Sequence, residues 1–346
     1  MHRVPLLGPF AHVMRARTTP GRLVTVAAGR TVPEVLAWSR PMLMTQLRAI
    51  EPAVVVTVTA RAFDPAVAAR WATVLDLVDR LSVSYRDRMP FTAGPSRRFG
   101  YRGLAWTAAR FERVVAGGAP GVAATVAAGW ADAEALSVEW VPILAEPVTS
   151  PVAAVAASAG AGSEPPVDVL FFGTLSYAPN VEAVLRLAKL WPTVLAARPG
   201  TTALIAGANP TTAVRDAVSR LGWRLEADFA ELAPLAAQCR IAVAPLVHAS
   251  GIQIKVLDAA ALGLPQVVTP AALAGLAPAF PAVVAPDDDA LVAGIVDLLA
   301  SSSRQAELAA EAAAHVAEVY GVDRWLPWAA SVLAAPDMPP HPETRP

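Results

Sequence analysis

Cysteine is almost missing from this chain of 346 residues, in which Cys239 stands alone. One thiol can form no internal disulfide and no cysteine-based zinc site, so the sequence fits a reducing cytoplasm. Lysine is nearly as scarce: of 28 basic residues only Lys189 and Lys255 are lysines. An Arg-, Ala- and Pro-rich coding bias accounts for that skew, and against it a lysine at position 255 stands out. Charge of one sign is also lacking, with a formal net charge of −1 and no sustained basic stripe, so no nucleic-acid partner is expected. The five histidines show no H-x-x-x-H or H-E-x-x-H spacing, and no metal site is expected. Neither a Walker loop nor a G-x-S-x-G elbow occurs. Met1 to Pro20 mixes Arg and Pro with apolar residues and lacks the continuous apolar core of a secretory leader.

Charge is absent from residues 259 to 286, a length that would ordinarily invite a membrane-spanning assignment. Pro265, Pro270, Pro278, Pro281 and Pro286 interrupt the run, and each would break backbone hydrogen bonds that lipid cannot replace. The run is expected to be a helix end, a buried strand, a loop and a second strand. Peripheral association with a membrane stays open, although no basic amphipathic face stands out in the sequence.

What is present is an alternation of short β-branched runs with longer helical stretches, the pattern of α/β units on parallel sheets. Strands are expected at Leu23 to Ala28, Ala53 to Val58, Val74 to Val78, Gly121 to Ala127 and Val138 to Pro142, with helices over Val35 to Ile50 and Leu104 to Ala116. Residues 150 to 166, rich in Ala, Ser, Gly and Pro, are expected to link two domains. Beyond the linker, strands are expected at Val169 to Phe172, Thr202 to Ala206, Gly222 to Leu225, Ile241 to Ala244, Gln266 to Thr269 and Ala282 to Val284. Helices fall between and after them: Asn180 to Leu195, Thr212 to Leu221, Glu231 to Gln238, Ile252 to Leu262, Asp289 to Ser301 and Ser303 to Val319. The proline-rich stretch 336 to 346 is expected to be a disordered tail.

The stretch HASGIQIKVLDAAALGLPQVVTP, residues 248 to 270, carries the most chemistry. A glycine turn at Gly251 opens a helix that bears Lys255 and Asp258 and stops at Gly263-Leu264-Pro265. A helix N-terminus offers free N–H groups and partial positive charge, a seat for a phosphate or pyrophosphate. Lys255 adds a compact, rotatable cation to that seat. Asp258 follows three residues later on nearly the same face, where a carboxylate can accept two hydrogen bonds from a ribose diol. The arrangement reads as a nucleotide-diphosphate site.

This pattern resembles the signature of retaining glycosyltransferases of GT-B fold, family 4 or "group 1", which runs roughly G-I-x-x-K-V-L-E-A-M-A-x-G-x-P-V-V. The matches are Gly251, Ile252, Lys255, Val256, Leu257, Ala259, Ala261, Gly263 and Pro265. Upstream, VDVLFFGTLSYAPNVEAVLRL (167 to 187) and TTALIAGANP (201 to 210) look like the first strands of the same domain. Gly173, Tyr177, Pro179 and Asn180 fit the F-x-G-x-x-x-Y-x-P-N pattern of bacterial polysaccharide-assembly transferases. The likeness covers residues 167 to 330 well and the N-terminal part in patches, chiefly 73 to 85 and 109 to 116. There are departures. The first glutamate of the family's E-x7-E motif falls on Ser250 and the second on the shorter Asp258, while Thr174 and Pro179 stand where many members carry an arginine and a lysine.

The resemblance implies a GT-B fold of two Rossmann-like domains with parallel sheets facing a central cleft. It implies an acceptor-side domain over residues 1 to 149, a donor domain over 167 to 319, and a final helix over 320 to 335 crossing back, anchored by Trp325 and Trp328. It implies transfer of a sugar from a nucleotide-sugar donor to a glycan, lipid-linked or small-molecule acceptor, with no metal and no other cofactor. The donor would contact Gly173, Thr174, Asn180, Gly207, Ser250, Gly251, Ile252, Lys255 and Asp258. On the acceptor side only Gly8-Pro9 is available for the glycine-rich loop near the start. Asp79, with Arg80, sits where open α/β sheets place ligands and could orient an acceptor hydroxyl, or could form a structural ion pair or helix cap. Glu112-Arg113 is expected to fix helix packing, Asp287-Asp288-Asp289 to cap a helix rather than bind metal, and His248 to be an exposed loop residue. Two other readings stay open: a degenerate GT-B protein acting as a binding or scaffold subunit, and a nucleotide-sugar epimerase on the same fold.

Overall fold

A computed structural model describes residues 32, 40–89, 94–145, 167–249 and 251–334. The expected strand at 23 to 28, the Gly8-Pro9 turn, the linker at 150 to 166, Ser250 and the tail at 336 to 346 lie outside the described residues. The chain divides into two units, Met1–Val141 with Pro327–Pro346, and Pro142–Leu326. Each is an α/β layer structure.

Among the described residues the first unit holds four parallel strands in the order β1-β2-β3-β4: Val54–Val58, Ala72–Asp76, Val122–Ala127 and Glu139–Trp140. Its core gathers Phe63, Leu75, Leu77, Leu81, Tyr85 and Phe111. The helix expected from Leu104 begins at Pro95 and runs to Ala116 (α1). It tolerates Gly100 and Gly103, each worth about 1 kcal/mol less than Ala in a helix interior, and Pro95 suits its first turn. Strand β2 ends at Asp76, two residues short of the expected Val78, because the Asp76 Oδ1 accepts a hydrogen bond from the Val78 N–H at 2.9 Å and Val78 takes φ 61°. A helix not expected from the sequence, Leu81–Arg88 (α2), follows the turn. Buried Glu112 holds its start, accepting from the Ser82 N–H at 2.8 Å and the Ser82 hydroxyl at 2.6 Å. Glu112 is thus a packing residue, as expected, whereas Arg113, expected to share that role, is exposed and bonds only back to the Ala109 carbonyl of its own helix among the contacts described.

The second unit is a six-stranded parallel sheet, order β10-β9-β8-β5-β6-β7: Val283–Val284, Gln266–Val268, Cys239–Ala244, Val167–Phe172, Ala203–Gly207 and Arg224–Ala227. All ten strands of the two sheets agree in place with the expected ones, with ends shifted by one to two residues in most. The central strand VDVLFF is almost continuously apolar, which is what burial on both faces demands. Arg240 ties β8 to its surroundings, pairing with Asp168 at 2.9 Å and donating to the Leu299 carbonyl at 2.7 Å.

Helices here follow their local signals closely. Thr212–Leu221 starts with Thr211 accepting from the Val214 N–H and stops at left-handed Gly222. Asp287 caps Asp288–Ala300 by accepting from the Ala290 N–H at 2.8 Å, the expected capping role. The expected Glu231 to Gln238 helix shrinks to Ala233–Ala236, because Pro234 sits in its first turn and Cys239 already belongs to β8. No helix among the described residues is long and apolar enough to cross a membrane.

Candidate functional site

Strand order reverses between β5 and its neighbours: β6 lies on one side of it and β8 on the other. Ligands of open parallel sheets bind beyond the C-terminal ends of the strands at such a switch point. Two segments leave the sheet there, the Gly173 loop after Phe172 and the segment that follows β8 from Pro245.

The Gly173 loop is glycine for a geometric reason. Gly173 has φ 143° and Gly207 φ 150°, and a Cβ on Gly207 would fall 1.8 Å from the Gly173 carbonyl oxygen. The two backbones therefore touch. A Cβ on Gly173 itself would lie 2.9 Å from Asn180 Nδ2 and 3.0 Å from Lys255 Nζ. The loop closes onto the helix Ala178–Ala197 (α3), where the buried Asn180 side chain donates from Nδ2 to the Thr174 carbonyl at 2.9 Å.

The second segment turns at Gly251, φ 64°, and its helix begins at Ile254 rather than at Ile252, running to Ala261 (α4). A left-handed residue cannot continue into a helix, so the turn occupies Gly251 to Gln253. No side chain caps this N-terminus. Gly275 packs on the turn so closely that a Cβ there would meet the Gly251 carbonyl oxygen at 2.3 Å. At the far end, Gly263 at φ 76° and the Leu264 N–H bonded to the Ala259 carbonyl at 2.9 Å form a Schellman stop. Buried Gln266 fixes the helix to β9 by donating to the Val256 carbonyl at 2.9 Å.

Lys255 joins the two segments. Its ammonium donates to Asn180 Oδ1 and lies 4.8 Å from the centre of the Phe171 ring. Among the described residues it has no ion-pair partner. A half-buried cation held by an amide oxygen and a π face is poorly compensated, and burial lowers its pKa from 10.5 to about 8. Asp258 is half-buried, and burial raises its carboxyl above the usual range. Ile252 is half-buried, Thr174 and His248 are exposed, and Ser250 is outside the described residues. Two contributors are not singled out by the sequence motifs: Phe171, whose ring faces the Lys255 ammonium, and Arg186, which pairs with Asp288 at 2.7 Å and donates to the Pro245 carbonyl at 3.3 Å.

Asp79 lies in the other unit. It sits in the turn beyond β2, not on the strand, and burial raises its carboxyl despite Arg61 and Arg88 nearby. Asp132 accepts from the Arg80 N–H at 3.3 Å, and burial raises its pKa also.

Residues 166–301 match the profile of the family described as glycosyl transferases group 1. No curated protein matches the sequence. Among solved structures, sucrose-phosphate synthase from Thermosynechococcus elongatus superposes with a TM-score of 0.61 at 14% identity, covering 84% of this chain and 75% of that one. HepE from Anabaena, in complex with UDP and glucose, gives 0.60 at 16% identity, covering 86% and 82%. WaaG, a glycosyltransferase involved in lipopolysaccharide biosynthesis, gives 0.58 at 14% identity, covering 85% and 81%. The fold is that of the GT-B glycosyltransferases. Within it, the segment that matches group 1 glycosyltransferases contains Gly173, Asn180, Gly207, Gly251, Lys255 and Asp258 together.

Proposed function

We propose that the chain is a glycosyltransferase that takes a sugar from a nucleotide-sugar donor held by the second unit. The observation that carries this reading is Lys255, a cation that pairs with no carboxylate among the described residues, set between the Gly173 loop and a helix N-terminus that no side chain caps. The diphosphate would lie against Gly173, Thr174, Gly251 and Ile252, with Lys255 on its oxygens and Asp258 on the ribose. Asn180 positions Lys255, and the lack of a Cβ at Gly207 lets the Gly173 backbone pack against it. HepE was solved with UDP and glucose, which supports a nucleotide-sugar ligand for the shared fold.

The chemistry follows from charge. As the bond between the anomeric carbon and the diphosphate oxygen breaks, negative charge grows on the departing diphosphate. A fixed cation and fixed N–H dipoles stabilise that charge more than they stabilise the bound donor, which is what lowers a barrier. The Lys255 ammonium and the helix end supply that charge in our reading, so no metal is required; the acceptor is a glycan, lipid-linked or small molecule. Retention of anomeric configuration follows from the resemblance.

A second reading is favoured by Ser250, Thr174 and the short Asp258: a unit that binds the nucleotide without transferring sugar. Release of nucleoside diphosphate from a panel of nucleotide sugars, with and without chelator, separates the two. A working transferase hydrolyses one donor slowly without acceptor, equally with chelator, and Lys255→Ala abolishes it. Binding of a nucleotide with no release from any donor, and none on adding acceptor extracts, supports the second reading instead.

A further inference from the structure

Helix α1 turns one face to the core and the other to solvent. Ala105, Ala108, Phe111, Glu112 and Val115 are buried. Phe99, Arg102, Trp106, Arg110 and Arg113 recur at spacings of three, four and seven on the opposite side, and all are exposed. Phe99 is 79% exposed and Trp106 58%, two large aromatics left in water. Arg110 lies 5.9 Å over the Trp106 ring. The helix carries five arginines, Arg97 and Arg98 included, and a single acid, Glu112, which is buried against Ser82. Its first turns and α2 together line an open pocket of about 580 Å³, formed by Arg86, Met89, Pro95, Arg98, Phe99 and Arg102. Asp87 is the one acid on α2, beside Arg86 and Arg88. No basic amphipathic face stands out in the linear sequence because the charged residues of this one are spread over seventeen positions and become a stripe only when wound into a helix.

We propose that this face of the first unit docks on the surface of an anionic membrane. The chemistry of the patch selects the occupant. Arginines in a fork around a pocket match phosphate headgroups, and they bind through paired N–H donors. Two protruding aromatics need an apolar phase to enter, which a soluble polyanion does not offer; rings of this kind settle at the headgroup boundary. Each arginine close to an anionic surface contributes roughly five-fold in partitioning, and the attraction fades with added salt. Docking here would bring a lipid-linked acceptor to the same unit, although the inference does not depend on the sugar-transfer reading.

The test is sedimentation of the full chain with vesicles of phosphatidylcholine alone or mixed with phosphatidylglycerol, over a range of salt. Binding is expected to the mixed vesicles, weakening as salt rises. The double variants Phe99→Ser with Trp106→Ser, and Arg102→Glu with Arg113→Glu, change exposed side chains only; each is expected to lose roughly ten-fold or more in vesicle affinity with the same circular dichroism and melting temperature as the wild type. No binding to mixed vesicles at low salt overturns the proposal. Equal binding by the variants overturns it too, as does binding of inorganic polyphosphate in the absence of vesicle binding, which would make the patch a site for a soluble polyanion.

Discussion

At the scale of single residues, Lys255 has lost part of its solvation without gaining an anion among the described residues. Lys255→Ala is expected to weaken nucleoside diphosphate binding by roughly 2–3 kcal/mol, the worth of a charge-assisted contact, with little change in melting temperature; calorimetry and thermal denaturation read the two effects separately. The lowered pKa makes two further predictions of opposite sign. Because the folded chain releases this proton near pH 8 and the unfolded chain near 10.5, the unfolded state binds more protons in that window, and folding stability gains with rising pH there. Nucleotide binding needs the ammonium and weakens as pH rises through about 8. Both trends vanish in Lys255→Met, and a flat affinity from pH 7 to 9 in the wild type contradicts the assignment.

At the scale of elements, the site depends on backbones that touch. Gly207→Ala places a methyl against the Gly173 carbonyl oxygen, so the variant is expected to destabilise the second unit by several kcal/mol, of the order seen for the largest single-residue effects, and to lose nucleotide binding with it. In the first unit, Glu112→Ala strips α2 of the carboxylate that holds the Ser82 N–H and hydroxyl; a loss of about 1–3 kcal/mol is expected for the two buried donors left behind, measured by urea unfolding. The strands and most helices were legible in the sequence, since parallel strands buried on both faces show as apolar runs and Thr211 and Gly222 mark a helix at both ends. Other features were not. Nothing local distinguishes α2, whose start is held by Glu112 thirty positions away, and the two glycines of α1 hid its first two turns. The site was legible as a motif in Gly251, Lys255 and Asp258, but the partners of Lys255 come from Phe171 and Asn180 on other elements, and only the fold brings them together.

At the scale of the whole molecule, the chain carries two separate cores, and the candidate donor site belongs to one of them. A ligand that binds one unit stabilises that unit alone, by about 2.7 kcal/mol at a hundred-fold excess over Kd. Hydrogen exchange with and without nucleotide should therefore show added protection confined to Pro142–Leu326, strongest in β5, β6 and α4. Protection spread equally over both units, or confined to the first, would place the ligand elsewhere.

The central claim is that Lys255 anchors a nucleoside diphosphate, and calorimetric titration of UDP, GDP, ADP and dTDP into the wild type and Lys255→Ala tests it most directly. The account predicts that one of the four binds the wild type without added metal and that the substitution costs on the order of a hundred-fold in affinity. A wild type that binds none of them, or a Lys255→Ala chain that binds as tightly as the wild type, contradicts it.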